Sequence, residues 1–171
     1  MIETGYVRTM AAYNRWQNDH LFGIADGLDD AARRLERGAF FGSIHGTLNH
    51  ILWADQVWMS RFTDGPMPPA KTPAESTGQH GEWQALRDAR AAMDGELEAW
   101  AAKLDPAWLR ADYRWFSGSQ QREVSRPRSL LVAHMFNHQT HHRGQVHAML
   151  TAAGARTSDT DLAFMRLPSE P

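Results

Sequence analysis

The sequence predicts an all-α fold: a four-helix bundle with a short β-hairpin between its third and fourth helices. Three observations carry that expectation. Four long segments repeat apolar side chains at helical spacing. Each is bounded by capping or breaking residues, and two of the connections are non-trivial, one a crossover rich in turn residues and one with a hairpin signal. A chain of 171 residues, 42% of them hydrophobic, can bury a substantial core without staples, so residues 1–171 read as one domain.

The first helix runs from about Glu3 to Gly27, with Val7, Met10, Ala11, Asn14, Leu21 and Ile24 on its buried face. The second starts at Ser43, a good N-cap, carries Ile44, Leu48, Ile51, Trp58 and Phe62, and stops at GPMPP. A stretch rich in Pro, Gly, Ser and Thr follows, read as a long surface crossover. The third helix covers about Gly81 to Lys103 and ends before Asp105-Pro106. Next, ADYRWFSGSQQREVSR alternates around Ser117-Gly118, a hairpin signal that places Trp115 and Phe116 near a tip or rim. The fourth helix begins near Pro127 and ends at Gly154, a natural residue just past a helix.

Composition removes several function classes. There is no cysteine, so disulfides, thiolate metal sites and a cysteine nucleophile are excluded. A formal net charge of −2 lacks the basic excess of a nucleic-acid binder. No apolar run approaches the roughly 18 residues of a membrane span, and Met1-Ile2-Glu3 is unlike a signal peptide. The expectation is a cytoplasmic protein with neither nucleic-acid nor membrane partners.

The fourth helix holds the most informative run. His134, His138 and His142 recur every fourth residue, and at about 100° per residue they share one stripe with Gln145. Leu131 and Met149 lie on that stripe too, which turns it toward the interior. Histidines there require hydrogen-bond partners or a metal ion. Two imidazoles at i and i+4 can reach one ion, but one straight helix cannot surround it. His50 is the best third candidate, because Gly46 and Ala54 leave space one turn to either side. His45 points about 140° away from His50 on the same helix. Trp53, about 60° round, is the tryptophan placed to line such a pocket.

The segments SIHGTLNHILWADQVWMSRF and LLVAHMFNHQTHHRGQVHAML resemble the DinB family of bacterial four-helix bundles, and the resemblance spans nearly the whole chain. It implies an up-down-down-up bundle, a homodimer, and a divalent metal held by His50, His138 and His142. His141 then becomes a structural or supporting neighbour, His134 stays ambiguous, and His147 faces away toward surface or interface. Relatives of this kind include mycothiol-dependent maleylpyruvate isomerase and bacillithiol S-transferases.

The implied activity is metal-dependent: transfer of a low-molecular-weight thiol to a small-molecule electrophile, or hydrolysis with an activated water. Zinc, nickel, iron and manganese are the candidate ions. Gln145 is expected to orient a ligand. Arg143, about 140° from His138, reads as a solvated surface charge before it reads as a contact for an anionic substrate. No Asp or Glu lies on the histidine stripe to act as base. The alternative class is a non-catalytic, stress-responsive metal-binding dimer.

Overall fold

A computed structural model describes residues 2–118 and 120–166. The long helices are α1 (Thr4–Asp26), α3 (Ile44–Thr63), α5 (Trp83–Ala102) and α7 (Arg128–Ala152). Short helices α2 (Asp30–Arg34), α4 (Pro73–Ser76) and α6 (Pro106–Arg110) sit in the connections. Strands β1 (Asp112–Ser117) and β2 (Arg122–Pro127) form the expected antiparallel hairpin, and a 3₁₀ turn spans Leu162–Phe164.

Side-chain pairings fix the directions of the four long helices. Asp26, at the end of α1, bonds Trp83 at the start of α5, so these two are antiparallel. His45 lies by Trp83 and Phe62 stacks on Trp100, so α3 and α5 are parallel. Trp58 meets His134 while His50 meets His142, which makes α3 and α7 antiparallel. Tyr6 meets Phe136 and Asn14 meets Arg143, so α1 and α7 are parallel. The bundle is therefore up-down-down-up, with α1 and α3 on one diagonal.

Local chemistry sets the boundaries. Ser43 caps α3 by accepting from the Gly46 amide at 3.0 Å. Helix α7 is followed by Gly154 at φ +81°, the left-handed geometry that glycine adopts at no cost. Pro127 ends β2 and serves as N-cap of α7 rather than opening its first turn. The base of the hairpin is tied by the Arg128 amide donating to the Ala111 carbonyl at 2.9 Å.

The interior is apolar at both ends of the bundle, with Leu52, Leu86, Leu97, Val132, Phe136 and Leu150 essentially inaccessible. Its middle is not. Asp94 accepts from Asn14 and Asn18 of α1 and pairs with Arg90. Arg90 also donates to Asp55 of α3 at 2.6 Å, and Asp55 accepts from Gln139 of α7 at 2.8 Å. Arg143 of α7 closes the ring by donating to Asn14. Two carboxylates and two guanidiniums thus link all four helices in one charge-balanced circuit.

Candidate metal centre

The site lies where α3 and α7 cross. His50, on the second full turn of α3, meets His138 and His142, one turn apart on α7. One nitrogen from each of the three imidazoles falls within 4.8 Å of the other two. Nε2 of His50 and Nε2 of His138 are 3.2 Å apart. Two nitrogens bound about 2.0–2.1 Å from one ion, at angles between octahedral and tetrahedral, stand about 2.9–3.4 Å apart. The spacing fits a shared ion.

Neighbouring groups fix which nitrogen two of the rings offer. Ser76 of α4 donates its hydroxyl proton to the Pro73 carbonyl at 2.6 Å. Its oxygen can therefore only accept from His50, whose Nδ1–H donates to it at 2.9 Å. Nε2 of His50 is left as a lone pair facing α7. Gln145 does the same for His142: its amide oxygen accepts from Nδ1 at 2.8 Å, again freeing Nε2.

The crossover is sewn onto α3 to make this possible. Trp53 donates its indole N–H to the Ala70 carbonyl at 2.8 Å, and Asn49 holds both the amide and the carbonyl of His80. Ser76 lies between these anchors and is fully buried. Opposite it, Phe41 stacks on His50 with ring centroids 3.7 Å apart. The turn that delivers Phe41 needs Gly42 at φ +75°, and a Cβ on Gly46 would stand 2.7 Å from the Phe41 carbonyl. The space that Gly46 leaves is filled by this loop.

Electrostatics keep all three rings neutral. Burial, and then the nearby His138 and His142, pushes His50 down to about 3. Burial followed by His142, His134 and His141 takes His138 down to about 4. Burial also lowers His142, against the hydrogen bond that its ring donates to Gln145. Near pH 7 the cluster presents free bases, the form that binds a metal. It contains no carboxylate, so a divalent ion there would keep its full charge.

The other sequence candidates separate cleanly. His134 is exposed and packs on Trp58, its ring centroid 6.1 Å from that of His138. His141 is exposed beside His142. His147 reaches the Ser158 carbonyl at 3.3 Å, and His45 turns to the His80 carbonyl. Trp53 does line the site, 5.5 Å from His50. Arg143 overturns its expectation as a solvated charge. It is 4% exposed, donates to Asn14 and Thr140, and lies over the Tyr13 ring, with burial pushing it down to about 10. Ser76 and Phe41 were not found by sequence reasoning. A capping box, Thr72 with Glu75, was the available sign that the crossover holds a helical turn.

Fold and site together define a class: a helical bundle with an interhelical cluster of three neutral histidines able to hold a metal ion. The model of the DinB family matches residues 1–170, and the chain belongs to that family. It is similar to protein DinB of Bacillus subtilis (strain 168), 25% identical over 164 residues, which cover 87% of each chain. A crystal structure of a DinB-like protein from Bacillus cereus ATCC 10987 superposes with a TM-score of 0.61 at 18% identity, covering 85% of this chain and 91% of that one. That likeness shows the fold. Among the described residues, no helix is long and apolar enough to cross a membrane.

Proposed function

We propose that this chain is a divalent-metal-dependent enzyme of thiol-transfer type, with His50, His138 and His142 as the ligands. Activation of water for hydrolysis is the second form of the same chemistry. One observation carries the reading: one nitrogen from each of three neutral imidazoles lies within 4.8 Å of the other two, with no carboxylate in the cluster. An ion bound by three neutral nitrogens retains open positions and lowers the pKa of a thiol or water placed there.

The chain's own groups would do the rest. Ser76 and Gln145 hold two rings in the metal-binding tautomer. Phe41 and Trp53 wall His50 with aromatic carbon and exclude water from it. His138, half-buried, is the edge through which a ligand enters. Zinc, nickel and iron suit an all-imidazole donor set better than manganese, which favours oxygen ligands. A homodimer in the cytoplasm, acting on a small-molecule electrophile, completes the proposal.

The test strips the protein of metal and titrates Zn²⁺, Ni²⁺ and Mn²⁺ by calorimetry. Loss of a low-molecular-weight thiol is then followed against a panel of electrophiles. Wild type is expected to bind one ion per chain and to consume thiol only when loaded, and His138→Ala to do neither. Equal binding by His138→Ala would remove the ligand assignment. Binding without turnover on any electrophile would leave the non-catalytic metal-binding reading in its place.

A further inference from the structure

Beside the histidine cluster runs an open groove of about 750 Å³, a size typical of small-molecule sites. Its walls come from α3, the start of α7, the crossover and the hairpin. Trp58 and Trp115 line it with their rings 6.4 Å apart and nearly perpendicular. Arg61, Lys71 and Arg126 line it as well, and among the described residues no carboxylate does. In a chain with 18 basic and 20 acidic residues, that is a local reversal of the overall sign. None of the three cations makes an ion pair among the described residues. Glu75, the acid of the adjoining α4, spends its carboxylate on the Lys71 backbone amide.

One of the cations is set against apolar surface. The Arg61 guanidinium lies 4.8 Å above the Trp58 ring, which orients it and strips part of its water. A partly desolvated guanidinium without a counter-ion binds a carboxylate or phosphate with a two-pronged hydrogen bond. The second large cavity, about 560 Å³ between α3 and α5, offers the opposite chemistry: three methionines and Glu96, with no base. His134 links the groove to the metal centre. Its ring is 5.3 Å from Trp58 and 6.1 Å from His138.

We propose that this groove binds an organic anion with an aromatic or apolar body, its acid group held by Arg61, Lys71 and Arg126 and its body packed against the wall that Trp58 and Trp115 form together. The groove then selects the substrate, and the hairpin exists in this bundle as one wall of that site. That the far end of the ligand reaches the reacting centre past His134 rests on the metal-dependent reading above; the binding itself does not.

The experiment compares naphthalene-2-carboxylate with its neutral isostere naphthalene-2-carboxamide, by calorimetry and by the indole N–H signals of Trp58 and Trp115. Both metal-free and zinc-loaded full-length protein are used. The carboxylate is expected to bind both forms at least tenfold more tightly than the amide, moving those two indole signals, with affinity that falls as salt rises. Arg61→Gln with Arg126→Gln is expected to lose at least tenfold, while the Arg→Lys pair loses less. Equal affinity for acid and amide overturns the proposal, as does full affinity in the Gln variant. Binding confined to the zinc-loaded protein and indifferent to the Gln changes would also overturn it, by making the acid a simple metal ligand. If zinc fails to bind and the carboxylate still does, the metal reading falls and the groove stands.

Discussion

Two buried polar clusters share the same pair of helices, and they are built on opposite terms. His50 and Asp55 lie five residues apart on α3, and their partners His138 and Gln139 are adjacent on α7. The Asp55 circuit is closed. Its two carboxylates face two guanidiniums, and the side chains of all four helices hydrogen-bond around the ring. The histidine cluster is open. Ser76 and Gln145 tie down the outer nitrogens of His50 and His142, while the inner nitrogens of the three rings converge on one another. Burying bases in that state costs free energy unless something arrives to satisfy them. A closed network fixes the register of a bundle, and an open one is a place for a ligand.

The largest expected effect comes from opening the closed cluster. Asp55→Ala would leave Arg90 buried with one partner fewer and Gln139 unbonded. Removing one partner of a buried ion pair typically costs about 3–5 kcal/mol. Urea denaturation of the metal-free protein is expected to show a loss of that size for Asp55→Ala and a much smaller change for His50→Ala. If His50→Ala were the more damaging of the two, the histidines would be the structural set and the contrast would reverse.

Acid should distinguish the clusters next. His50 and His138 have folded-state pKa values near 3 and 4, below the ordinary 6.5 of an unfolded chain. The unfolded state therefore binds more protons between those limits, and stability falls as pH drops below about 6.5. Each of the two contributes a slope of up to about 1.4 kcal/mol per pH unit in that window. Above pH 7 the slope from these groups vanishes. Thermal melts from pH 8 to pH 5 are expected to show this fall in the metal-free protein, and His50→Phe to flatten it. Zinc-loaded protein should resist until acid strips the ion, since the metal and the proton compete for the same lone pairs. A metal-free wild type with a flat profile down to pH 5 would mean that the imidazoles are not held neutral.

What the sequence could disclose follows the same divide. Helical periodicity found the four long helices, and the i, i+4 spacing put His138 and His142 on one face. It misread Arg143, for a physical reason. A helical wheel gives the angle from His138, but α7 buries two stripes, one against α3 and another against α1. An angle of about 140° therefore points at Asn14 and Tyr13 rather than at water. His134 erred in the other sense: it shares the stripe of His138 but packs on the outer side of Trp58 and stays exposed. The crossover was the harder case. Its composition signalled turns truthfully, while its docking onto α3 depends on Trp53, Asn49 and His50, whose partners are far away in sequence.

The smallest of these effects is also the most specific, because it concerns the one residue that belongs to both descriptions. Ser76 both donates and accepts inside the fold, as the closed ring's members link one helix to the next, yet what it holds is the back of His50. Ser76→Ala removes one hydroxyl from a four-residue helix still capped by Thr72, so folding should change by about 1 kcal/mol. Nδ1–H of His50 would lose its acceptor, and the ring would be free to rotate or to place its proton on Nε2, where it blocks the metal. Losing such an outer hydrogen bond usually costs about 10–100-fold in metal affinity. Calorimetric zinc titration is expected to show that loss with the unfolding midpoint of the metal-free protein nearly unchanged. Ser76→Thr, which keeps the hydroxyl, should recover most of it. If Ser76→Ala bound zinc like wild type, the tautomer would be set by the ion alone, and the crossover would be packing rather than part of the centre.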